Sequence, residues 1–263
     1  MKQQLTILKV GGKIVETPAL LQQLLTDFAQ IEGRKILVHG GGRTATDMAT
    51  RLGIETHMVD GRRITDADML RVVTMVYGGL VNKTLIAQLQ SRGVNAIGLT
   101  GADMNVIRSH RRPLKNGIDY GFVGDVDKVD AERLALLLDA GITPIMAPLT
   151  HDGEGHLLNT NADTIASETA KAMAAHYEVT LIYSFEHAGV LTNPDDEQSV
   201  IPTITAETFE RLKADGIVSG GMLPKLENCL AAVAAGVKKV VIGGRLIKLR
   251  PLPLTPSPTG EGD

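Results

Sequence analysis

Six short apolar runs alternating with helical stretches constrain this chain more than anything else in it. The runs lie at 4–10, 35–38, 94–99, 142–147, 179–184 and 238–242 and are rich in Val, Ile and Leu. A strand-length run that is apolar throughout belongs in a sheet buried on both faces. Helical stretches are expected at 18–30, 43–52, 66–92, 130–140, 161–177, 206–215 and 223–236. Gly33, Gly53, Gly93, Gly141 and Gly236 stand where five of them should end. The alternation predicts an α/β protein, a three-layer αβα sandwich with a central, mainly parallel sheet and right-handed crossovers. With no Trp, four Phe and four Tyr, its core has to be aliphatic. Two stretches break the rhythm. Residues 105–128 and 148–160 are rich in Gly, Asp and Asn, and read as hairpins or lids over the carboxyl ends of the strands, where open α/β sheets bind ligands.

The 66–92 helix is unusually long. Thr65 and Asp66 are both fit to cap it. Met69, Val72, Val73, Val76, Leu80, Leu85 and Leu89 form a broad apolar face of a buried crossover helix. Met75, Leu80 and Ile86 widen that stripe toward a contact with a second copy of the chain. The last thirteen residues, from Pro251 to Asp263, hold four of the 11 prolines and read as a disordered tail without a catalytic role.

Several classes are excluded. The net charge is −3 with no strongly basic block, which argues against a nucleic-acid partner. No uninterrupted apolar run reaches the roughly 18 residues of a membrane span, and no charged-then-apolar leader precedes the first strand, so the cytoplasm is the expected location. A single cysteine, Cys229, excludes an intrachain disulfide and a cysteine-based metal site. Gly78–Thr84 resembles a Walker A loop only superficially, with Asn82 where glycine is needed. A dinucleotide G-x-G-x-x-G is missing. His39-Gly40-Gly41-Gly42 is like an esterase oxyanion loop, but there is no G-x-S-x-G elbow to go with it. There is no clustered His/Asp/Glu metal set.

What remains handles oxyanions. The first strand ends in Lys9-Val10-Gly11-Gly12 and the second in His39-Gly40-Gly41-Gly42. Strand ends that stop in glycine ahead of a helix leave backbone N–H groups open for negative charge. Gly61-Arg62-Arg63-Ile64-Thr65 puts two guanidinium groups ahead of a helix, a type suited to bidentate capture of a carboxylate. Asn159-Thr160-Asn161-Ala162-Asp163 opens the 161–177 helix, and Gly220-Gly221-Met222-Leu223-Pro224-Lys225 opens another. Each piece alone has a structural explanation: Asp163 could complement a helix dipole, and Lys225 or Arg63 could be solvated.

Together, and in this order, the five motifs resemble the amino-acid kinase family, in its N-acylglutamate branch. The match runs from Lys9 to about Ile242. The Arg63 and Asn159–Asp163 motifs set that branch apart from carbamate, aspartate and UMP kinases. The resemblance implies phosphoryl transfer from MgATP to the γ-carboxylate of N-acetyl-L-glutamate, a step of arginine biosynthesis, with N-succinyl-L-glutamate as the other acyl candidate. It implies that Lys9 and Lys225 neutralise the transferred phosphoryl group and that Asp163 holds both lysines. Gly41, Gly42, Arg63, Asn159 and Asn161 would bind the acylglutamate. Gly11, Gly12, Ser219, Gly221 and Lys225 would bind ATP, and Mg²⁺ would be held through phosphates and water. Residues 1–245 would form one kinase domain, its acylglutamate lobe ending near 175 and its ATP lobe running over 176–245, with 246–263 as the atypical tail. A non-catalytic regulatory module on the same fold is the remaining alternative. The segment 183–191 is one residue longer than in many relatives and lacks their Asp. Lys13 and Asp103 are further departures. In them the chain is similar to the form found in Bacteroidetes. Arginine feedback in the family goes with an N-terminal helix that is not seen ahead of the first strand, so an arginine-insensitive homodimer is expected.

Overall fold

The computed structural model describes residues 2–59, 61–185, 189–193, 196, 198–218 and 222–243. All six expected runs form strands of one sheet: β1 (Gln4–Val10), β2 (Arg34–His39), β5 (Ala96–Leu99), β8 (Thr143–Met146), β11 (Glu178–Ser184) and β12 (Lys239–Ile242). Their order is β12-β11-β1-β2-β8-β5, and every pairing is parallel. The period of two along each strand divides the core between the two faces. Leu8, Val10, Leu37, Ile145 and Ile182 face one layer, and Leu5, Ile7, Ile36, Val38, Met146, Leu181 and Tyr183 face the other. The first layer holds α1 (Gly12–Glu16), α2 (Pro18–Ala29), α3 (Gly42–Arg51), α4 (Ala67–Val73) and α5 (Asn82–Gln90). The second holds α6 (Ala131–Asp139), α7 (Ala162–Met173) and α9 (Met222–Ala234). A smaller core of Val190, Phe209, Val218 and Leu226 forms where α8 (Ala206–Ala214) meets α9.

The five glycines expected at helix ends all have positive φ, from 70° to 97°. Asp66, not Thr65, caps α4, its carboxylate accepting from Met69 N at 2.8 Å. One expectation needs correction. The 66–92 helix is not continuous α-helix: Thr74–Val81 is π-helical, between α4 and α5. A π-turn carries more residues per turn than an α-turn, so it shifts the phase of the apolar stripe. Leu80 consequently leaves the buried face and is 52% exposed, with Met75 at 55%, while Ile86 packs against the core. The five-residue α1 was not foreseen. Each of the two glycine-rich stretches forms an antiparallel strand pair, as expected of a hairpin. Their strands β6 (Ile107–Arg111), β7 (Gly124–Val129), β9 (Leu149–His151) and β10 (Leu157–Asn159) join in one mixed sheet ordered β10-β9-β6-β7. Two-residue strands β3 (Met58–Val59) and β4 (Arg62–Arg63) make a separate ribbon.

Taken as one element, Ala67–Gln90 has the length and apolarity of a membrane span. Met69, Val72, Val73, Val76, Leu85 and Leu89 are instead buried against the parallel sheet, as in the core helix of a globular domain.

Candidate active site

The motifs converge at the carboxyl ends of β1, β2, β8 and β11. Lys9 is the penultimate residue of β1, and Asp163 is in the first turn of α7. Their side chains form an ion pair, Nζ to Oδ1 at 2.7 Å, in a partly exposed setting. Asn161 caps α7, its Oδ1 accepting from Asp163 N at 2.8 Å and Thr164 N at 3.1 Å. The cap that starts the helix therefore fixes the backbone from which Asp163 reaches Lys9.

The two glycine loops lie against each other, since a Cβ on Gly40 would be 3.6 Å from Gly12 N. Gly11 N donates to Ser184 O at 2.9 Å, so Gly12 carries the N–H that this loop can offer a ligand. Gly41 caps α3 at φ 148°, and a Cβ there would be 3.1 Å from the Tyr77 ring. Only glycine combines that φ with that approach.

Gly41, Gly42, Arg63, Asn159 and Asn161 line one cavity of about 180 Å³, together with Arg62 and Tyr77. None of its described lining residues is acidic. Arg63 is buried and its four terminal hydrogens have partners inside the protein. Nη2 donates to Gly42 O and to Thr46 Oγ1, both at 2.8 Å, and Nη1 to Thr56 Oγ1 at 3.3 Å and Met69 Sδ at 3.9 Å. Only Nε–H remains, so Arg63 acts as a clamp on the α3 loop and a fixed positive charge, not as the free fork its residue type suggested. Arg62 is half-buried, and no described carboxylate pairs with it. Burial and the nearby Arg112 charge lower its pKa, against an opposing pull from Asp125. The Asn159 amide donates to Thr65 Oγ1 at 2.9 Å.

Lys225 lies one turn ahead of Cys229 on α9, with its Nζ 5.0 Å from the centre of the Phe185 ring. Burial pushes the Cys229 thiol up to about 12; Asp163 raises it further and Lys225 opposes. Both charges thus bear on one buried sulfur, which stays a neutral packing group. Ser219 and Gly221, expected at the ATP site, lie outside the described residues, as do 186–188 of the variant segment and 244–263 with the tail.

Residues 4–244 match the amino acid kinase family. The chain belongs to the amino acid kinase family. It is 65% identical over 242 residues to the acetylglutamate kinase of Bacteroides thetaiotaomicron, covering 92% of this chain and 94% of that one. The acetylglutamate kinase of Phocaeicola vulgatus is 66% identical over the same length, with the same coverage. Among solved structures, smu.665 from Streptococcus mutans aligns with TM-score 0.73 at 28% identity, covering 91% of this chain and 94% of that one.

Within this family member, sequence reasoning missed the support under the second glycine loop. His39 is fully buried. Its Nδ1 lies 2.7 Å from Gly40 O and its Nε2 3.1 Å from Asn82 Nδ2, and Asn82 Nδ2 also donates to Ile145 O at 2.9 Å. A carbonyl on one side and an amide donor on the other fix the neutral Nδ1–H tautomer. Gly98 is what lets Asn82 in, since a Cβ there would be 1.8 Å from Asn82 Oδ1. Burial lowers the His39 pKa from 6.5 to about 4. The unfolded chain therefore binds a proton between pH 6.5 and 4 that the folded one does not, and stability falls as pH drops through that window. At pH 5 the loss from this one group is about 2 kcal/mol. Urea unfolding at pH 7 and pH 5 will show a drop smaller by about that amount in His39→Gln than in the parent. Equal drops in the two proteins would mean that His39 is not held neutral.

Proposed function

We propose that this chain transfers the γ-phosphoryl group of ATP to the γ-carboxylate of N-acetyl-L-glutamate, giving the acyl phosphate of arginine biosynthesis. The observation that carries this reading is the cavity lined by Arg62, Arg63, Asn159 and Asn161, without a described acidic residue, beside the Lys9–Asp163 pair. Such a lining suits a small ligand with two carboxylates. The names of the relatives, identical at two residues in three, agree with it.

The chemistry asks the protein for positioning and charge neutralisation. A γ-carboxylate is already ionised at neutral pH and needs no general base. The difficulty is bringing it up to a polyanionic phosphate chain. In this reading the cavity holds the acylglutamate, and the open N–H groups at the start of α3 receive one of its carboxylates. Lys9, anchored by Asp163, meets the transferred group from the end of β1, and Lys225 meets it from α9. Gly11 and Gly12 bring the backbone close to the nucleotide phosphates, with Gly12 N–H as donor, and Ser219 and Gly221 complete that side. Bound Mg²⁺ supplies further positive charge to the phosphate oxygens. The described residues contain no cluster of three His, Cys, Asp or Glu side chains, a donor set that fits a metal carried by phosphate and water.

A second reading, N-succinyl-L-glutamate as the acceptor, is favoured by Arg62. Its guanidinium, on the cavity wall and paired with no described carboxylate, is suited to the extra carboxylate of a succinyl arm. We further read residues 1–245 as one cytoplasmic kinase domain with an acylglutamate lobe to about 175 and an ATP lobe beyond it. In this reading two copies pair through the exposed Met75 and Leu80 face. ADP release from MgATP with N-acetyl-L-glutamate, N-succinyl-L-glutamate and free glutamate tests the assignment. Turnover of an acylated substrate but not of free glutamate supports it and names the acyl group. Turnover of free glutamate alone overturns it.

A further inference from the structure

We propose that the ring of Phe185 is a positioning residue for Lys225, holding its ammonium at the phosphate end of the site. The proposal rests on the kinase reading above, in which Lys225 meets the transferred phosphoryl group. It adds a residue that the five sequence motifs do not contain. Lys225 Nζ stands 5.0 Å from the centre of the Phe185 ring, within reach of a cation–π contact.

The two lysines are held in different ways. Lys9 has a carboxylate, Asp163 Oδ1 at 2.7 Å. Among the described residues no carboxylate forms an ion pair with Lys225. Asp163 is taken by Lys9, and Glu227, two residues beyond Lys225 on α9, pairs with Lys213 at 3.7 Å. A lysine is a compact charge on a flexible stem, and something has to restrict it before it can act as a preorganised charge. The face of an aromatic ring does this and leaves the positive charge whole, where a carboxylate would offset it.

The backbone puts the ring where that matters. Phe185 directly follows β11, whose last residue, Ser184, is in register with Val10 of β1. Gly11 N donates to Ser184 O at 2.9 Å, and a Cβ on Gly11 would be 3.7 Å from Phe185 Cβ. Two residues back, Tyr183 is in register with Lys9. The chain that carries the ring is thus fixed against the Gly11–Gly12 loop, and the ammonium beside the ring comes to the same end of the sheet as Lys9.

Steady-state kinetics of Phe185→Leu and Phe185→Tyr test the proposal. Leucine keeps apolar bulk without a ring face, and tyrosine keeps the face. Phe185→Leu should lower kcat about five- to tenfold, as for a lost cation–π contact, with the KM for ATP and for the acylglutamate unchanged. Phe185→Tyr should stay within about twofold of the parent. In a Lys225→Ala background Phe185→Leu should cost nothing further, because the ring acts through the ammonium. An unchanged kcat in Phe185→Leu overturns the proposal. So does a loss that tyrosine does not recover or that persists without Lys225, since that is packing. A rise in the KM for ATP in place of the fall in kcat makes the ring a nucleotide contact and overturns it as well. A parent enzyme that phosphorylates no acylated glutamate overturns the functional reading itself, and this role with it. The other adverse results, beside an active parent, overturn the role of Phe185 alone.

Discussion

Lys9→Ala will lower turnover with the acylglutamate about a thousandfold and leave both KM values within a few-fold, because one preorganised charge aimed at a transferring phosphoryl group is worth 10²–10³ in rate. That corresponds to about 4 kcal/mol of barrier. The geometry supports a loss of this size. Lys9 is held at the end of a strand hydrogen-bonded on both sides, by β2 and β11, and its ammonium is fixed by Asp163 at 2.7 Å. A lysine this constrained needs no reorganisation as charge moves. The fold will tolerate the change, because Asp163 is 28% exposed and water can take the place of its partner. Asp163→Asn should lose a similar factor, since it frees Lys9 without removing it. The double variant should be little worse than either single one, because both act through one ammonium. Single-turnover rates and thermal melts on the three variants measure this. Full turnover by Lys9→Ala would remove the lysine from the mechanism, and simple additivity would separate Asp163 from it.

The central sheet was readable because its strands are buried on both faces, which turns each into an unbroken apolar run. Ile7 and Leu8 serve opposite layers, yet both must be apolar. Helix ends were readable because glycine is the residue that adopts positive φ without strain, as at Gly33 and Gly93. The π-helical stretch was not readable. One extra residue per turn within 74–81 leaves the composition of the helix untouched, and it shows only in which of Tyr77 and Leu80 turns inward. The joining of the two hairpins into one mixed sheet, β10-β9-β6-β7, escaped for another reason. Its strands are short and partly polar, and their pairing is set by distant partners, such as Arg108 beside His151. In the site, residue types were legible and their engagement was not. Sequence suggested that Arg63 would offer a fork. In the fold, Gly42, Thr46, Thr56 and Met69 already hold its hydrogens, no described carboxylate pairs with Arg62 next to it, and Asn82 stands behind His39.

That difference makes Arg63→Lys the sharper test of how the cavity works. If position 63 supplied charge alone, lysine would serve nearly as well. The structure demands more. A single ammonium on a flexible stem cannot hold Gly42 O and Thr46 Oγ1 at 2.8 Å while also reaching Thr56 Oγ1. At a buried position the deserted acceptors lose partners that water cannot fully replace. The variant should therefore unfold at lower urea, with a stability loss of about 2 kcal/mol. Losing the clamp also frees the Gly41–Gly42 loop that lines the cavity, and with it the N–H groups proposed to receive the ligand's carboxylate. The kcat/KM for the acylglutamate should fall about a hundredfold, roughly 3 kcal/mol of transition-state stabilisation. The KM for ATP should hold, because the Gly11–Gly12 loop is braced separately by Ser184 O. A kcat/KM within threefold of the parent would mean that charge alone is what the cavity draws from this residue. A rise in the ATP KM of the same size would mean that the two glycine loops, in contact through Gly40 and Gly12, move as one unit.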